Sequence, residues 1–502
     1  MVHDDEDDVL VDNEESPNYS SIARDHRDKT APATSSFLTA TSAPSPGNSS
    51  DIAELELNDI YKQMGTGRSQ YLYWLLTGLI SYTDYAEMTL ISLIILPLRC
   101  EMNLSPEFET LTTVTIVAVY TVFTIIAGKI ADNYGRKTVL VVSTNGLIVA
   151  AVISAMVSDK WLFLLFRSLA AGFIGMNVVV ASCYAVEFAE SRYRIVGLTV
   201  FILTGYFGLF VVNSLAWALL RIIGWRWFII ILTAPGIPAV LLALYLPESP
   251  RYLCVSGKQE KAMEAVKFMA RLNKTEIQDD VRMICHKDQD TGSYLELISP
   301  KHRRSTIALA IIFAMNIFAE FGIVLFLPLY FSSDLCGASS EVPKHTCTTL
   351  SQDDLFDLTV AALGTLVGSV GALLMAHFIG RLYPIRVTSF LQALFTGLLF
   401  ICLNKTATFW QATFVRMFIA TNNGFIWIIM PETYPTSIRS TAVGVLNGLA
   451  KVGGILGTGS IFLFFYIDPN INLGLFLGTA LLGVIGAMIF NKKTKEVDLT
   501  ET

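Results

Sequence analysis

The chain has 502 residues, of which 53% are hydrophobic and only 16% are charged. Ordinary soluble domains carry about 25% charged residues, so this composition excludes a soluble globular protein and indicates a chain solvated mostly by lipid. The formal net charge of −7 comes largely from the first stretch of the chain.

That first stretch is acidic and poor in apolar residues. It contains Asp4-Asp5-Glu6-Asp7-Asp8 and Glu14-Glu15, and a run rich in Ser, Thr and Pro follows to about Ser50. Such a segment cannot bury enough apolar surface to fold, so we predict that residues 1–64 form a disordered tail. No apolar stretch precedes residue 70, so we expect no cleavable signal peptide and a cytosolic tail. The tail either solubilises the protein or docks a cytosolic protein partner.

Twelve later stretches are long and apolar enough to cross a membrane, since a transmembrane helix needs ~20 apolar residues. The predicted spans are 71–97, 109–129, 138–158, 161–186, 195–221, 227–246, 306–331, 354–378, 385–403, 407–430, 440–465 and 472–490. The pattern predicts an all-α membrane protein with one six-helix bundle over 65–246, a second over 306–490, and a cytosolic tail over 491–502.

The linker 247–305 divides the two sets of six helices. From Ser256-Gly257 onward, Ala262, Val266 and Met269 recur on one helical face, which predicts an amphipathic helix at the membrane surface.

Lys and Arg predict the orientation of the chain in the membrane. They are concentrated in the connections that follow even-numbered helices and in the linker, and they are sparse in the odd-numbered connections. By the positive-inside rule, both termini are expected to face the cytosol.

A short polar turn separates the second and third predicted helices and reads Gly128-x3-Asp132-x2-Gly135-Arg136-Lys137. A turn with this composition cannot cross lipid, so it lies at a membrane face. Its spelling resembles the motif that the major facilitator superfamily of transporters carries between helices two and three. The resemblance implies twelve helices in two pseudo-symmetric six-helix bundles and transport by alternating access.

Other motifs resemble narrower branches of that superfamily. The stretches 247–253 (PESPRYL) and 431–436 (PETYPT) resemble the sugar and organic-ion transporter branch. The stretches 84–88 (DYAEM), 224–227 (GWRW) and 334–337 (DLCG) resemble the synaptic vesicle 2-related proteins. The loop 332–353 is short, so the large luminal domain of the vesicle glycoproteins themselves is missing.

The polar turn and the ends of helices four and ten predict a gate on the cytosolic side. Asp132 can accept hydrogen bonds from backbone amides at the start of a neighbouring helix, and Arg136 can reach Glu187 as a bidentate pair. In the second half Gly380-Arg381 is retained, but His377 replaces the acid, so we expect that gate to be weaker or differently held. The alternative is a purely structural turn. The candidate gate residues are Gly128, Asp132, Gly135, Arg136, Lys137, Glu187, Arg194, Arg381, Glu432 and Arg439.

Charged residues inside the predicted helices are candidates for function, because each costs ~2.5 kcal/mol or more at the bilayer centre. Asp84 and Glu87 are three positions apart and therefore share a helix face. Two carboxyls this close are not expected to ionise together, which suits a proton-coupling site. Pairing with Arg167 that only holds helix one against helix four is an alternative, and direct contact with substrate is another. The full set is Asp84, Glu87, Arg167, Glu320, Arg416 and Lys451.

Lys451 bears on the substrate. It aligns with a position in helix eleven at which organic cation transporters resemble one another in having an acid and organic anion transporters a base. A cation there repels cationic substrates, so an anion or a zwitterion is favoured. Further side chains either bind substrate or only pack helices: Tyr206, Asn213, Asn316, Asn422 and Trp427.

Three cysteines and one sequon lie on the non-cytosolic side of the predicted topology. Cys336 and Cys347 share a loop and could form a disulfide in an oxidising compartment, with Cys100 on the same side. Asn103-Leu-Ser105 is a glycosylation sequon close to the membrane. The chain contains no zinc-ligand spacing, nucleophile elbow, phosphate-binding Walker loop or dinucleotide glycine pattern, so we expect no enzyme, metal or cofactor.

These observations favour a secondary active transporter that moves a small organic ion, anionic or zwitterionic, by alternating access coupled to protons. One alternative is a vesicle-membrane receptor or regulator that keeps a transporter fold. A sugar porter is another, although a neutral sugar does not require Asp84, Glu87 or Lys451. We expect a monomer in the membrane of an intracellular vesicle or in the plasma membrane. We expect it to contact membrane lipid and to bind no nucleic acid.

Overall fold

In the computed structural model, the residues described are 53–190, 193–276, 281–284, 294–333, 347, 349–401, 404–434 and 436–490. Most of the predicted N-terminal tail, the predicted C-terminal tail and Cys336 lie outside these ranges. The side chain of Arg439 is likewise not described.

Twelve long helices follow one another in the part of the chain that the structure describes. In order they are α1 (Arg68–Met102), α2 (Pro106–Tyr134), α3 (Arg136–Met156), α4 (Lys160–Glu187), α5 (Arg194–Leu215, continued by a π-helical turn over Ala216–Leu220), α6 (Arg221–Thr233 and Gly236–Tyr245), α7 (Arg303–Ser332), α8 (Gln352–Phe378), α9 (Leu382–Leu398), α10 (Lys405–Thr433), α11 (Thr436–Phe464) and α12 (Pro469–Ile489). The predicted all-α fold is confirmed.

Ten continuous helical stretches in the described part of the chain are long and apolar enough to cross a membrane. The stretch Val196–Tyr245 holds two spans, α5 and α6, because Gly224 breaks the helix there with φ 75°. Glycine adopts this left-handed conformation without the steric cost that a Cβ brings. The short helix α9, with 17 residues, completes the twelve.

Small elements lie on the face of the protein that carries the α2–α3 turn and the linker, which we call the linker face. They are the helices Leu57–Met64, Pro250–Val255 and Gln259–Asn273, a 3-10 turn over Tyr294–Ile298, and two short strands. Strand β1 (Ala53–Glu56) pairs in parallel with β2 (Val281–Ile284). The other face is called the opposite face.

The prediction of disorder is wrong for residues 53–64, which form β1 and a helix. Ile60, Tyr61 and Met64 recur at helical spacing and are at most 4% exposed. Their burial against the N-terminal bundle and the linker supplies the stabilisation that composition alone did not reveal.

The helix Gln259–Asn273 is amphipathic as predicted, but its apolar face packs on protein and not on lipid. Ala262 and Val266 lie in a cluster with Ile60, and Met269 lies in one with Tyr61. The linker is therefore fastened to the N-terminal bundle through the helix Leu57–Met64.

The two bundles share one apolar core towards the opposite face and have separate cores towards the linker face. The shared core contains Leu93 and Phe163 from the first bundle together with Phe326 and Phe465 from the second. Towards the linker face, one core contains Tyr73, Tyr184 and Phe188, and another contains Phe313, Phe425 and Ile429. The bundles are thus joined at the opposite face and part towards the linker face.

Polar contacts between the bundles reinforce the opposite face. Arg99 forms a buried ion pair with Glu109 at 2.6 Å and hydrogen-bonds the hydroxyl of Tyr466, which precedes α12. Gln352 at the start of α8 donates to the carbonyl of Trp217 over 2.7 Å. These contacts hold the ends of both bundles together.

The predicted disulfide between Cys336 and Cys347 is wrong, because the structure joins Cys347 to Cys100. Cys100 belongs to α1 and Cys347 lies just before α8, so this bond links the two bundles covalently. The pairing could not be read from sequence, because all three cysteines were predicted on the same side of the membrane.

We expect peptide mapping without reductant to recover Cys100 and Cys347 in one cross-linked peptide. A Cys336→Ser variant should keep that peptide and a Cys347→Ser variant should lose it. Recovery of a Cys336–Cys347 peptide from the unaltered protein would contradict the observed pairing.

Candidate transport site and gate

A cavity lies between the two bundles, with about 140 Å³ of space open to water-sized molecules. Three of the six predicted interior charges line it: Asp84 on α1, Glu320 on α7 and Lys451 on α11. The walls also carry Tyr85 and Trp427. Two acids and one base, set among aromatic rings, therefore face the same space.

Only one of the two carboxyl oxygens of Asp84 has a hydrogen-bond partner among the residues that the structure describes. Its Oδ1 accepts a hydrogen bond from Asn177 Nδ2 on α4 over 3.1 Å. Its Oδ2 is buried and has no hydrogen-bond partner among the residues that the structure describes. This oxygen is available to a proton, a water molecule or a solute that enters the cavity.

Glu320 belongs to a network that crosses between the bundles. Its Oε2 accepts from Asn423 Nδ2 over 3.0 Å, and the same amide donates to the hydroxyl of Tyr206 on α5 over 2.8 Å. Tyr206 also hydrogen-bonds Glu320. Arg416 is buried and interacts electrostatically with Glu320, but it does not line the cavity. The prediction that Arg416 faces the cavity is therefore wrong for this structure, and Arg416 acts on the cavity only through its electrostatic effect on Glu320.

Lys451 reaches across to the first bundle. Its Nζ donates to the hydroxyl of Tyr120 on α2 over 2.9 Å and lies 4.6 Å from the centre of that ring. The ring of Phe321 is 5.6 Å away. Aromatic faces attract cations at such distances, so the two rings stabilise the ammonium group, which also interacts electrostatically with Glu320.

Glu87 does not line the cavity, contrary to the prediction that it shares a site with Asp84. Its Oε2 pairs with Arg167 Nη2 at 2.8 Å, and the same nitrogen donates to the Glu87 carbonyl over 2.8 Å. The two side chains are 0% and 3% exposed. The alternative prediction, a pair that holds α1 against α4, describes Glu87 and Arg167 correctly.

The remaining predicted cavity residues divide between the cavity and helix packing. Trp427 lines the cavity. Asn213 donates to Leu209 in its own helix, and Asn316 donates to the carbonyl of Ile419. Asn422 is bound within the second bundle, whereas its neighbour Asn423 faces the cavity. Asn422 and Asn423 point in different directions because they are neighbours on a helix. The sequence alone does not show which of the two faces the cavity.

Arg136 is the centre of the candidate gate in the first bundle. Its Nε lies 3.2 Å from Glu187 Oε1 and its Nη2 lies 2.9 Å from Asp132 Oδ1. The predicted contact with Glu187 is therefore present, through one nitrogen and not as a bidentate pair. Arg136 also stands over the ring of Tyr252, 5.0 Å from its centre.

The backbone amides at the start of α3 are bound by Glu248 and not by Asp132. The amide of Lys137 donates to both carboxylate oxygens of Glu248, over 3.0 and 3.1 Å. The side chain of Asp132 is 68% exposed and contacts Arg136, so its predicted role at a helix start is wrong in this conformation. Glu248, from the PESPRYL stretch, supplies the negative charge that a helix start favours.

Other gate residues tie the small elements to the bundles. Lys137 Nζ donates to the carbonyl of Leu244, and Arg194 donates to Asn58 on the helix Leu57–Met64 over 3.1 Å. In the same helix, Tyr61 donates to the carbonyl of Glu187 over 3.1 Å. The linker-face helix thus rests directly on the gate.

The second bundle repeats the arginine–glutamate pair without the aspartate. Arg381 Nη2 lies 2.8 Å from Glu432 Oε1, and His377 occupies the place of Asp132. Arg439 in α11 corresponds in sequence to Arg194 in α5, and its side chain is not described. The second candidate gate therefore keeps the ion pair and has His377 in place of the aspartate, and a weaker or differently held gate stays a prediction.

Asn103 is the exposed residue that ends α1 at the opposite face, with φ 48°. Its glycosylation stays a prediction.

A model of the Major Facilitator Superfamily matches residues 75–458. The chain is 28% identical over 454 residues to the Synaptic vesicle 2-related protein of Rattus norvegicus, covering 89% of this chain and 82% of that protein. It is 26% identical over 481 residues to the Organic cation/carnitine transporter 7 of Arabidopsis thaliana, covering 88% and 94%. A solved structure of the xylose transporter XylE from E. coli, in a partially occluded inward open conformation, matches with a TM-score of 0.62 and 17% identity, covering 84% of this chain and 96% of that one.

The chain therefore belongs to the Major Facilitator Superfamily, and the resemblance that the motifs indicated is confirmed. It is a multi-pass membrane transporter of the type of the synaptic vesicle 2-related and organic cation transporters, and not an enzyme.

We expect Gly135→Ala to destabilise the protein. Gly135 has φ 97° and ψ 151°, a region that costs other residues about 1–3 kcal/mol, and a Cβ there would collide with Glu248 Oε2. The melting temperature in detergent, followed by tryptophan fluorescence, should fall by several degrees.

Gly128→Ala is the matched control for that variant. A Cβ at Gly128 meets no atom of the described residues within 4 Å, so its melting temperature should stay unchanged. Equal melting temperatures for both variants would contradict the role given to Gly135 and Glu248.

Proposed function

We propose that this protein moves a small organic zwitterion across the membrane by alternating access, with transport coupled to protons. The observation that carries the proposal is the cavity between the bundles, which presents Asp84 and Glu320 together with Lys451. Such a set of charges can bind both ends of one zwitterion.

The packing of the bundles supports alternating access. The bundles share a core at the opposite face and have separate cores towards the linker face. Rocking of one bundle against the other would separate the bundles at the opposite face and bring them together at the linker face. The cavity lies near the middle of the membrane, where such a motion exposes it to each side in turn.

The charges of the cavity support a zwitterion over a simple anion. Lys451 is the cation among the lining residues named above, and the acids Asp84 and Glu320 outnumber it. The carboxylates and the ring of Trp427 suit an ammonium group, whereas Lys451 suits a carboxylate. The name of the Arabidopsis relative includes carnitine, a zwitterion, which supports the same class for this chain.

The acids of the cavity, and not Glu87, are the proposed proton carriers. Glu87 is neutralised by Arg167, so protonation would break a buried ion pair. Asp84 Oδ2 has no partner within the described chain. Glu320 accepts hydrogen bonds from the neutral groups Asn423 and Tyr206, and Arg416 and Lys451 act on it electrostatically. Either acid can exchange a proton with the cavity at a smaller cost.

The positive-inside rule places the linker face in the cytosol. The names of the synaptic vesicle 2-related relatives support a vesicle membrane as the location. Likeness to the xylose transporter is below 25% identity and concerns the fold, so it lends a sugar no support as substrate.

The first test is uptake into liposomes that contain the purified protein. The probes are carnitine and glycine betaine as zwitterions, tetraethylammonium as a cation, succinate as an anion and xylose as a neutral sugar. We expect uptake of a zwitterion that changes severalfold when a pH gradient is imposed. Asp84→Asn and Glu320→Gln should each reduce or abolish that response, because each removes a titrating group.

Other outcomes of this assay contradict parts of the proposal. Uptake of succinate or tetraethylammonium alone would overturn the substrate class, and uptake of xylose would favour a sugar porter. A folded protein that moves no probe, but whose N-terminal tail captures a cytosolic protein, would favour the receptor.

Lys451→Gln is expected to raise KM for a transported zwitterion by about tenfold or more, because it removes a charge-assisted contact worth about 1.5–3 kcal/mol. Lys451→Arg keeps the charge and should retain more of the affinity. The measurement is initial uptake rate against probe concentration in liposomes. An unchanged KM in Lys451→Gln would exclude Lys451 from the binding site.

Glu87→Gln is expected to lower the melting temperature strongly. It leaves the Arg167 guanidinium buried without a counter-charge, and removing one partner of a buried ion pair costs about 3–5 kcal/mol. Asp84→Asn is the control, because Asp84 has no ionic partner in the described chain. Equal stability of the two variants would contradict the distinction between the fixed pair and the cavity acid.

A further inference from the structure

A network of three buried polar side chains lies behind Asp84. Ser143 and Thr144 on α3 donate to Asn177 Oδ1 over 2.5 and 3.3 Å. Asn177 Nδ2 donates in turn to Asp84 Oδ1 over 3.1 Å. The hydroxyls occupy the oxygen of the amide, so its nitrogen is turned towards the carboxylate.

The second bundle repeats this network with the same spacing. Thr388 donates to Asn422 Oδ1 over 2.6 Å, and the two residues are 34 positions apart, as are Ser143 and Asn177. Asn422 Nδ2 donates to Gln392 Oε1 over 2.7 Å. The acceptor at the end of the network is thus a neutral carboxamide in the second bundle and a carboxyl group in the first.

This difference gives the two networks different chemistry. A carboxamide does not titrate, so the second network holds the same protonation state at every ordinary pH. A carboxyl that accepts an amide hydrogen bond is stabilised in its ionised form. The hydrogen bond occupies Oδ1 of Asp84 and leaves Oδ2 as the oxygen that can take a proton.

The proposal therefore rests on the proposed function and deepens it. We propose that Asn177, oriented by Ser143 and Thr144, is a positioning residue that stabilises ionised Asp84 and sets the pH at which the transporter takes up its proton. The side chain of Asn177 is fully buried and does not line the cavity, so it acts through Asp84 and not on the solute.

Other groups act on Asp84 as well and stay in place in the test. Glu87 interacts with it electrostatically along α1, and Tyr85 does so from the neighbouring position. Glu320 and Lys451 face the same cavity from the second bundle, and Tyr120 faces it from α2. Their contribution is common to all variants compared below.

The test measures carnitine uptake into liposomes at equal internal and external pH, across a series of pH values. In Asn177→Ala the carboxylate loses its donor, so protonation occurs more readily and the midpoint of the pH dependence should move to higher pH. A hydrogen bond to a charged group corresponds to a shift of about one to two pH units. In an Asp84→Asn background, Asn177→Ala should cause no further shift.

Asn422→Ala is the matched control, because it removes the same amide from the network that ends on Gln392. It should leave the midpoint unchanged. Equal losses of uptake in Asn177→Ala and Asn422→Ala without a change of midpoint would show that both asparagines only pack helices, and would overturn the proposal.

A second variant covers the case in which Asn177→Ala does not fold. Thr144→Val keeps the size of the side chain and removes a hydroxyl that orients the amide, so the midpoint should move in the same direction by a smaller amount. If uptake of carnitine persists with no pH dependence at all in the unaltered protein, proton coupling and the role of Asn177 both fail. If Asp84→Asn removes the pH dependence while Asn177→Ala and Thr144→Val leave it in place, only the role of Asn177 fails.

Discussion

The structure depends on how buried charge is neutralised in an interior that contains little water. An isolated charge at the bilayer centre costs ~2.5 kcal/mol or more. Each charged group is therefore expected either to pair with an opposite charge or to be neutralised by gaining or losing a proton. Glu87 meets this constraint with Arg167 at 2.8 Å, and the pair fixes α1 against α4. Asp84, on the same helix, has a neutral donor on one oxygen, and its other oxygen has no hydrogen-bond partner among the residues that the structure describes. One helix therefore carries a charge that fastens the bundle and a second that can respond to the cavity.

The two faces of the protein are held by different interactions. At the opposite face, a shared apolar core, the hydrogen bond from Arg99 to the Tyr466 hydroxyl and the Cys100–Cys347 bond join the bundles. At the linker face, the ion pairs of Arg136 and Arg381 lie within one bundle each. Ion pairs that are partly exposed contribute little to stability, so they could exchange partners in the proposed movement of the bundles. A covalent bond cannot, and it limits how far the start of α8 can move from the end of α1.

The twelve helices were predictable because lipid imposes a length and an apolar composition on each. The Arg136–Glu187 contact was predictable because both residues sit at helix ends whose places follow from the topology. The division of the interior charges was not, since residues three positions apart in a helix point about 60° away from each other. That rotation is enough to turn Asp84 to the cavity and Glu87 to Arg167. The role of Glu248 was also hidden, because it binds an amide 111 positions earlier in the chain.

Comparison of the two bundles shows which ionisable residues differ between two otherwise similar arrangements of helices, which we call the common frame. Both bundles keep an arginine–glutamate pair at the gate and a hydroxyl–amide network between two helices. At two places the first bundle has an aspartate and the second does not: Asp132 corresponds to His377, and Asp84 ends a network that in the second bundle ends on Gln392. The second bundle instead supplies Glu320, Lys451 and Trp427 to the cavity. The common frame is consistent with the proposed movement of the halves as similar rigid bodies. The added acids explain why a response to protons through these networks would arise in the first bundle, while most of the charge that meets a solute comes from the second.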